Sequence, residues 1–151
     1  YSYEKLLDIR EKFFEEKIIP LVLPKALKLV NYHKNNNDIL AIVTATNSFI
    51  SRVTADFFNI KHLLASEPEF VNNKFTGNML GEPCFKDGKV TKVQEWMKVN
   101  KLSEFKEIYF YTDSHNDIKL MEFCTRPIAV DPDEILKKTS IDNKWEIISL
   151  R

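Results

Sequence analysis

Apolar residues recur at helical spacing at the start of the chain. They are separated by charged residues and comprise Leu6, Leu7, Ile9, Phe13, Phe14 and Ile18. This pattern predicts an amphipathic helix over residues 4–18. Pro20 should end this helix, and Pro24 can open a second helix that continues to the polar run 35–37. Two consecutive helices are therefore expected before the first strand.

Continuous apolar runs further along the chain predict buried strands. The first covers residues 39–43 and the second residues 108–112, and a helical pattern follows each of them. Residues 127–130 and 145–148 form two further short strands by the same criterion. Strands that alternate with helices in this way predict an α/β fold with a mostly parallel sheet.

A different pattern occupies the middle of the chain. Asn72 and Asn73 separate the short segments 69–71 and 74–76, and asparagine tolerates the positive φ of a tight turn. This arrangement predicts a small surface β-hairpin. A loop over residues 77–87 should then lead to another helix.

Composition narrows the class of protein. A chain of 151 residues is long enough for one domain with a core, and its 22 basic and 22 acidic residues leave no net charge. A neutral chain gives no reason to expect nucleic acid or a membrane surface as a partner. Two cysteines, Cys84 and Cys124, favour a reduced protein over a disulfide scaffold. The absence of a secretory signal and of a membrane-length apolar run predicts a cytoplasmic location.

The second apolar strand runs directly into two acidic residues. Asp113 follows the strand, and Asp117 lies four residues later, where the chain should enter a helix. The strand fixes the first carboxylate at the carboxyl edge of the sheet, and the first helical turn brings the second back toward the same space. Carboxylate oxygens of this kind suit Mg²⁺. The alternative is a helix cap, since Asp is favoured at helix N-termini.

Thr44 ends the first strand in this interpretation, and in an open parallel sheet its side chain would reach the same edge. Its hydroxyl can donate to a phosphate oxygen. The backbone N–H groups of Ala45 and Thr46 would add donors at the start of the next helix, which either Thr46 or Asn47 can cap. Taken alone, Thr44 also fits an ordinary strand-end or capping residue.

Lys89 lies where a cation is unfavourable, in the first turn of the helix predicted after residue 87. The positive end of the helix macrodipole faces it there, at a cost of roughly 0.3 kcal/mol or more. A lysine in that position can be aimed at an anion. Alternatively, it is a solvated surface lysine, because Lys86 and Lys92 show that lysines are common in this segment.

Three features follow one another in this chain. The first is a threonine at the end of an apolar strand, the second is a lysine that opens a later helix, and the third is an Asp-x-x-x-Asp sequence after another strand. This order resembles the second, third and fourth motifs of the haloacid dehalogenase superfamily, in particular the phosphoserine-phosphatase-like subclass IB. The matching segments are 41–49, 83–90 and 111–117, and the segment 127–133 fits the same subfamily. The likeness covers nearly the whole chain and implies a Rossmann-like three-layer α/β sandwich with the remnant of a helical cap.

The resemblance implies a Mg²⁺-dependent phosphomonoesterase that forms and hydrolyses an aspartyl-phosphate. Asp113 would bind Mg²⁺ directly, whereas Asp117 would act through water or orient the other groups. Thr44 and Lys89 would hold the transferring phosphoryl group, together with the backbone of Ala45. Positioning and electrostatics would supply most of the rate.

The implied substrate is a small phosphorylated metabolite such as phosphoserine or histidinol phosphate. Substrate choice in this subclass depends heavily on the cap, and the resemblance implies that these 151 residues contain only its last helix. Ser114, His115 and Asn116 border the acidic pair and could contact substrate. The alternative for His115 is a solvent-facing loop residue.

The first motif of the superfamily, Asp-x-Asp followed by Gly-Thr, does not occur in the chain. Asp131 and Asp133 form an Asp-x-Asp sequence, but they follow the fourth motif and are expected to form a turn or helix cap. In the family the missing strand lies between the strands that precede Thr44 and Asp113. Its loss would leave backbone groups unpaired within a sheet.

Two expectations follow from the missing motif. First, an N-terminal segment or a second chain should complete the sheet, or the fold is rearranged. The nucleophile is then absent from these 151 residues, which alone are expected to be inactive. Second, the cap should be incomplete. Residues 1–22 are expected to be the last helix of an incomplete cap, and residues 23–151 an α/β core without its first strand.

Two other functions stay open at this point. A receiver-like signalling domain also accepts a phosphoryl group on an aspartate and binds Mg²⁺. Its lysine, however, typically ends a late strand and precedes proline, unlike Lys89. A chain without its nucleophile could instead be a non-catalytic binding or assembly module.

Overall fold

The computed structural model of the chain describes residues 1–102 and 104–151. Its helices are α1 (Tyr3–Phe13), α2 (Pro24–Asn35), α3 (Ser48–Phe57), α4 (Asp87–Val99), α5 (Ile118–Phe123) and α6 (Glu134–Asp142). Its strands are β1 (Ala41–Asn47), β2 (His62–Val71), β3 (Lys74–Leu80), β4 (Tyr109–Thr112), β5 (Arg126–Val130) and β6 (Glu146–Ile148). None of these described helices has the length and apolar character needed to cross a lipid bilayer. The chain divides into two compact units, Tyr1–Cys84 and Phe85–Arg151.

The N-terminal helix lies where the sequence predicts it and changes its hydrogen-bond pattern before it ends. After α1 the chain continues as a π-turn over Phe14–Ile18 and a 3₁₀ turn over Ile19–Leu21. Pro20 lies in that last turn, after which the helical conformation stops. Pro24 opens α2, so the predicted roles of both prolines are confirmed.

The first unit contains a mixed sheet of β1, β2 and β3. β1 pairs in parallel with β2, and β2 pairs antiparallel with β3. Asn72 and Asn73 form the turn between β2 and β3 with φ values of 49° and 60°, which confirms the predicted hairpin. α3 packs against β1 and β2. Aromatic rings join α1 and α3 to the hairpin, namely those of Tyr3, Phe49, Phe70 and Phe75.

The hairpin is longer than its sequence pattern predicts. β2 begins at His62 and β3 continues to Leu80, so the expected loop over residues 77–87 is partly strand. Pro68 interrupts the pattern of β2, and the strand tolerates this proline beside a register irregularity between Pro68 and Phe70. The parallel partner of β1 is therefore a segment that the sequence pattern does not reveal.

The second unit contains a parallel sheet in the order β4, β5, β6. Its core comprises three fully buried side chains, Met121 in α5, Ala129 in β5 and Leu136 in α6. The partly buried side chains packed around this core are Phe110, Ile118 and Trp145. Both α5 and α6 thus pack on the central strand β5, and the predicted strands of this unit are confirmed.

Each sheet contains a strand with a single partner next to a predicted site segment. Among the described strands, β1 pairs with β2 alone and β4 with β5 alone. The predicted α/β class with mostly parallel pairing is confirmed, since β2–β3 is the one antiparallel pairing between described strands. The expectation that a further strand completes the sheet stays a prediction, as does the division of the chain at residue 22.

Replacing Leu136 with alanine should remove about 2–5 kcal/mol from the free energy of unfolding, because its fully buried neighbours can fill the cavity only in part. Ile135→Ala is the matched control on the adjacent position, which is 57% exposed, and should cost less than about 1 kcal/mol. Urea unfolding followed by circular dichroism measures both values. Equal losses would contradict a core centred on Leu136.

Candidate active site

Residues 113–117, the acidic loop, connect β4 to α5. The Ser114 hydroxyl shapes this loop by accepting hydrogen bonds from the Asn116 backbone N–H at 3.3 Å and from its side-chain amide at 3.2 Å. His115–Asp117 forms a 3₁₀ turn that leads into α5. The predicted junction between strand and helix is therefore present, with one acid at each end of the loop.

Asp117 is 5% exposed, and both of its carboxylate oxygens are occupied. Lys89 Nζ donates to Oδ1 at 2.6 Å, and Thr112 Oγ1 donates to Oδ2 at 2.8 Å. Asp117 lies at the N-cap position of α5, but its side chain makes no capping hydrogen bond. Its carboxylate forms the ion pair with Lys89 instead, so the interpretation of Asp117 as a helix cap is wrong.

Lys89 is 7% exposed, so the alternative of a solvated surface lysine is wrong. It lies in the first turn of α4, where the helix macrodipole disfavours a cation. The carboxylate of Asp117 offsets this unfavourable effect of the dipole, because opposite charges in contact attract strongly where water is excluded. An ammonium carries three N–H donors, and one of them is accepted by Asp117.

Asp113 differs from Asp117 in burial and in bonding. Its side chain is exposed, and among the described residues none bonds to its carboxylate. Its backbone carbonyl accepts a hydrogen bond from the Asp133 N–H at 2.9 Å. A carboxylate held through its backbone suits a hard cation such as Mg²⁺. The described part of the chain contains no cluster of three or more metal-ligating side chains, so Asp113 fits only part of a coordination shell.

Asp133 joins the acidic loop to α6. Its Oδ2 accepts a hydrogen bond from the His115 backbone N–H at 2.8 Å and lies 2.9 Å from His115 Nδ1. Its Oδ1 accepts from the Leu136 N–H at 2.8 Å, which confirms the predicted cap. Asp131 has a φ of 43° and accepts from the Leu150 N–H at 3.1 Å, which confirms the predicted turn. The His115 side chain is 44% exposed, as expected of a loop residue, but its ring is anchored.

The pKa of Asp133 reflects these contacts. Burial alone would raise the pKa, but hydrogen bonds from the Leu136 and His115 N–H groups and from the His115 ring outweigh it and lower the pKa to about 2. The carboxylate is therefore ionised at neutral pH, and both of its oxygens act as acceptors.

Thr44 lies inside β1, because the strand continues to Asn47. Regular pairing with β2 stops at Val43 and resumes at Asn47, so Thr44 falls in the irregular part of the ladder. Its Oγ1 accepts a hydrogen bond from the Thr46 N–H at 3.2 Å. The expectation that the strand ends at Thr44 is therefore wrong, although its regular pairing does end one residue earlier.

The backbone N–H groups of Ala45 and Thr46 do not lie at the start of α3, contrary to expectation. Asn47 caps the helix instead, and its side chain accepts from the Ile50 N–H at 2.9 Å. Asn47 is one of the two caps that the sequence predicts, and asparagine is the stronger cap of the two. The N–H groups of Ala45 and Thr46 lie in β1 and are not among the free donors of the first turn of α3, and phosphate binding there stays a prediction.

Thr44 and Thr46 line a cleft of about 380 Å³ within the first unit. Most of its other walls are apolar side chains of α1, β1 and α3. Arg10 is a charged residue of the wall: its Nη1 donates to the Phe49 carbonyl at 3.0 Å, and its guanidinium lies 4.9 Å from the Phe49 ring centroid. A predicted phosphate-binding residue thus borders a mostly apolar space.

Two contributions to the site lie beyond the sequence-based prediction. The pattern marks Thr112 only as a strand residue, yet its hydroxyl donates to Asp117 and accepts from the Ser114 N–H at 3.2 Å. The position of this hydroxyl, directly before Asp113 in the sequence, is the feature from which its role can be predicted. The second contribution is the contact of Asp133 with His115, which joins residues 18 positions apart and leaves no local signal.

A family model described as haloacid dehalogenase-like hydrolase matches residues 1–122. The chain belongs to this family. A histidinol-phosphatase of Neisseria meningitidis is 31% identical over 154 residues, which cover 100% of this chain and 69% of the relative. A phosphoserine phosphatase of Mycobacterium tuberculosis is 24% identical over 150 residues, which cover 99% of this chain and 48% of that protein. The chain thus spans about half the length of the mycobacterial relative.

A solved structure has the same fold. The crystal structure of a protein of unknown function from Bordetella pertussis Tohama I matches with a TM-score of 0.97 and 37% identity, covering 100% of this chain and 69% of the other. The family model and the phosphatase relatives make the chain a phosphoserine-phosphatase-like member of the hydrolase family. The family match favours the hydrolase over the receiver-like interpretation.

Lys89→Met should lower the free energy of unfolding by about 3–5 kcal/mol, because it leaves the Asp117 carboxylate buried without its cation. The double variant Lys89→Met with Asp117→Leu removes both charges and should recover most of this loss. Lys98→Met, on an exposed position of the same helix, is the control. Urea unfolding gives all three values, and a loss below about 1 kcal/mol for the single variant would contradict the buried pair.

Asp133 should contribute to stability above about pH 4 and less in stronger acid. Its pKa is about 2 in the folded protein, against roughly 3.9 in an unfolded chain, so protonation between these values favours unfolding. The stability difference between wild type and Asp133→Asn should therefore be constant above about pH 5 and shrink between about pH 4 and pH 2. Urea unfolding at several pH values measures it, with exposed Asp142→Asn as control. A difference that stays constant down to about pH 2 would contradict the lowered pKa.

Proposed function

We propose that this chain carries the metal side of the active site of a Mg²⁺-dependent phosphomonoesterase that works through an aspartyl-phosphate. The observation that carries the proposal is the contrast within the acidic loop. Asp113 presents an exposed carboxylate, while Asp117 is buried and paired with Lys89. The family and the phosphatase relatives support the same reaction class.

Asp113 would hold Mg²⁺ through its carboxylate. Both oxygens of Asp117 are committed, so we assign Asp117 an indirect role, in which it orients Lys89 or acts through water. Bound Mg²⁺ would polarise a phosphoryl oxygen and offset negative charge. Other groups must complete the coordination shell, because the described residues offer no larger ligand cluster.

Lys89 is the proposed cation for the phosphoryl group. The contact with Asp117 fixes its ammonium in place, and an ammonium bonded once has two N–H donors left for phosphate oxygens. A fixed positive charge would also reduce the repulsion between an attacking carboxylate and the phosphate. Its role is electrostatic, and the buried pair keeps it oriented without reorganisation during the reaction.

Thr44 and Ala45 are proposed as phosphate contacts from the first unit, through the Thr44 hydroxyl and the Ala45 backbone N–H. Thr44 Oγ1 accepts a hydrogen bond from the Thr46 N–H, so its O–H is left to donate to a phosphate oxygen, which supports this assignment.

Ser114, His115 and Asn116 are the proposed contacts on the substrate side. Ser114 and Asn116 bond to each other, and His115 is anchored on Asp133, so their first role is to shape the acidic loop. The exposed part of the His115 ring is the group best placed for an additional contact with substrate.

We do not assign the nucleophile to Asp113 or Asp117. The family's Asp-x-Asp-Gly-Thr sequence does not occur in the 151 residues, so we propose that another segment or chain supplies the attacking aspartate. β1 and β4 each have a single partner among the described strands, which leaves backbone groups for one more strand. The substrate would be a small phosphorylated metabolite, such as the compounds for which the two phosphatase relatives are named.

Hydrolysis of p-nitrophenyl phosphate by the full-length protein tests the proposal. Chelation of Mg²⁺ should abolish turnover, and Asp113→Asn should lower kcat/KM about 100-fold or more, because the amide loses the anionic ligand. Asp142→Asn removes an exposed carboxylate at the end of α6 and should leave activity unchanged. Phosphoserine and histidinol phosphate compared in the same assay rank the substrates.

Wild-type activity in Asp113→Asn would overturn the metal role of Asp113. Failure of the full-length protein to hydrolyse any of these phosphate monoesters with Mg²⁺ would overturn the phosphatase proposal and favour a non-catalytic binding module.

A further inference from the structure

The acidic loop is held from both ends, and Asp113 keeps the one carboxylate of the loop to which no described residue bonds. At the β4 end, Thr112 bonds to the Ser114 N–H and to Asp117. At the other side, Asp133 bonds to His115 and to the Asp113 carbonyl. The loop is therefore fixed around a side chain that itself remains available.

The two oxygens of Asp133 have separate tasks. Oδ1 faces α6 and accepts from the Leu136 N–H at 2.8 Å. Oδ2 faces the acidic loop, accepts from the His115 N–H at 2.8 Å and lies 2.9 Å from His115 Nδ1. The Asp133 N–H adds a third link by donating to the Asp113 carbonyl at 2.9 Å.

This set of contacts exceeds what a helix cap requires. The caps of α1 and α3 each direct one oxygen to their own helix, Ser2 to the Lys5 N–H at 3.3 Å and Asn47 to the Ile50 N–H at 2.9 Å. One oxygen satisfies a capping role. The second oxygen of Asp133 and its backbone N–H both point to the loop that carries Asp113.

We propose that Asp133 is a positioning residue of the active site, which fixes the acidic loop so that the Asp113 carboxylate is presented to the metal ion. This inference rests on the proposed function and adds a residue outside the four motifs. A ligand whose backbone is already fixed loses less conformational freedom when it binds a cation. Asp133 thus acts on the metal through His115 and the Asp113 backbone, without touching it.

The Asp133→Asn variant distinguishes the role of Oδ1 in the helix cap from the role of Oδ2 in the acidic loop. The amide oxygen can still cap α6, whereas the NH₂ group in place of Oδ2 cannot accept from the His115 N–H. Asp133→Ser likewise keeps one oxygen for the helix. His115→Ala removes only the ring contact and keeps the backbone one. Glu134→Gln, which removes a neighbouring exposed charge at the same helix end, is the matched control.

The Mg²⁺ concentration for half-maximal turnover of p-nitrophenyl phosphate by the full-length protein is the first measurement. It should rise about 10-fold or more in Asp133→Asn and Asp133→Ser, and less in His115→Ala. Saturating Mg²⁺ should restore most of kcat, because the ligand itself is intact. Glu134→Gln should match wild type. An unchanged Mg²⁺ requirement in both Asp133 variants would overturn the proposal.

Amide hydrogen exchange provides a second readout that needs neither metal nor activity. In Asp133→Asn the His115 amide should exchange faster, whereas the Leu136 amide at the cap should stay protected. Equal changes at both amides would reduce Asp133 to a helix cap and overturn the positioning role. If wild type shows no Mg²⁺-dependent turnover, the proposed function fails, and with it the metal role of Asp133. A selective change at His115 would then establish only that Asp133 holds the loop.

Discussion

The buried ion pair between Lys89 and Asp117 is the interaction on which the rest of the site depends. It joins the first turn of α4 to the end of the acidic loop, with an N–O distance of 2.6 Å and side chains that are 9% and 6% exposed. Either charge alone would be costly to bury, so each position requires the other. Thr112 occupies the second oxygen of Asp117, which leaves this carboxylate fully committed within the protein.

That commitment separates the roles of two acids that look equivalent in the sequence. Asp117 stabilises and orients a cation, while Asp113 stays exposed with a carboxylate to which no described residue bonds. Two sets of hydrogen bonds hold the loop between them, because Ser114 closes the turn locally and Asp133 anchors His115 from 18 positions away. Burial and hydrogen bonding, more than spacing in the sequence, therefore decide which of the two acids is available as a metal ligand.

Local patterns predict most of the elements, since helices and buried strands impose a periodicity that one segment displays by itself. The acidic loop and the Asn72–Asn73 turn are also predicted from the residues of one segment. Contacts between distant segments cannot be predicted in this way. Lys89 and Asp117, for example, are 28 positions apart. The end of β1 depends on its pairing with His62–Ser66 of β2, a segment that the sequence pattern does not mark as a strand. The position of Thr44 within β1 is therefore also missed by the pattern alone.

Under the proposed function, charge balance would make phosphate binding depend on a divalent cation. Lys89 and Asp117 cancel, so Asp113 leaves this group of three with a net negative charge. A phosphate dianion would be repelled by that charge, and a bound Mg²⁺ would reverse its sign. The hydrogen bond of the Asp133 N–H to the Asp113 carbonyl, at 2.9 Å, resists relief of this repulsion by movement of the loop backbone. Cation and phosphate would then bind as a coupled pair, each raising the affinity for the other.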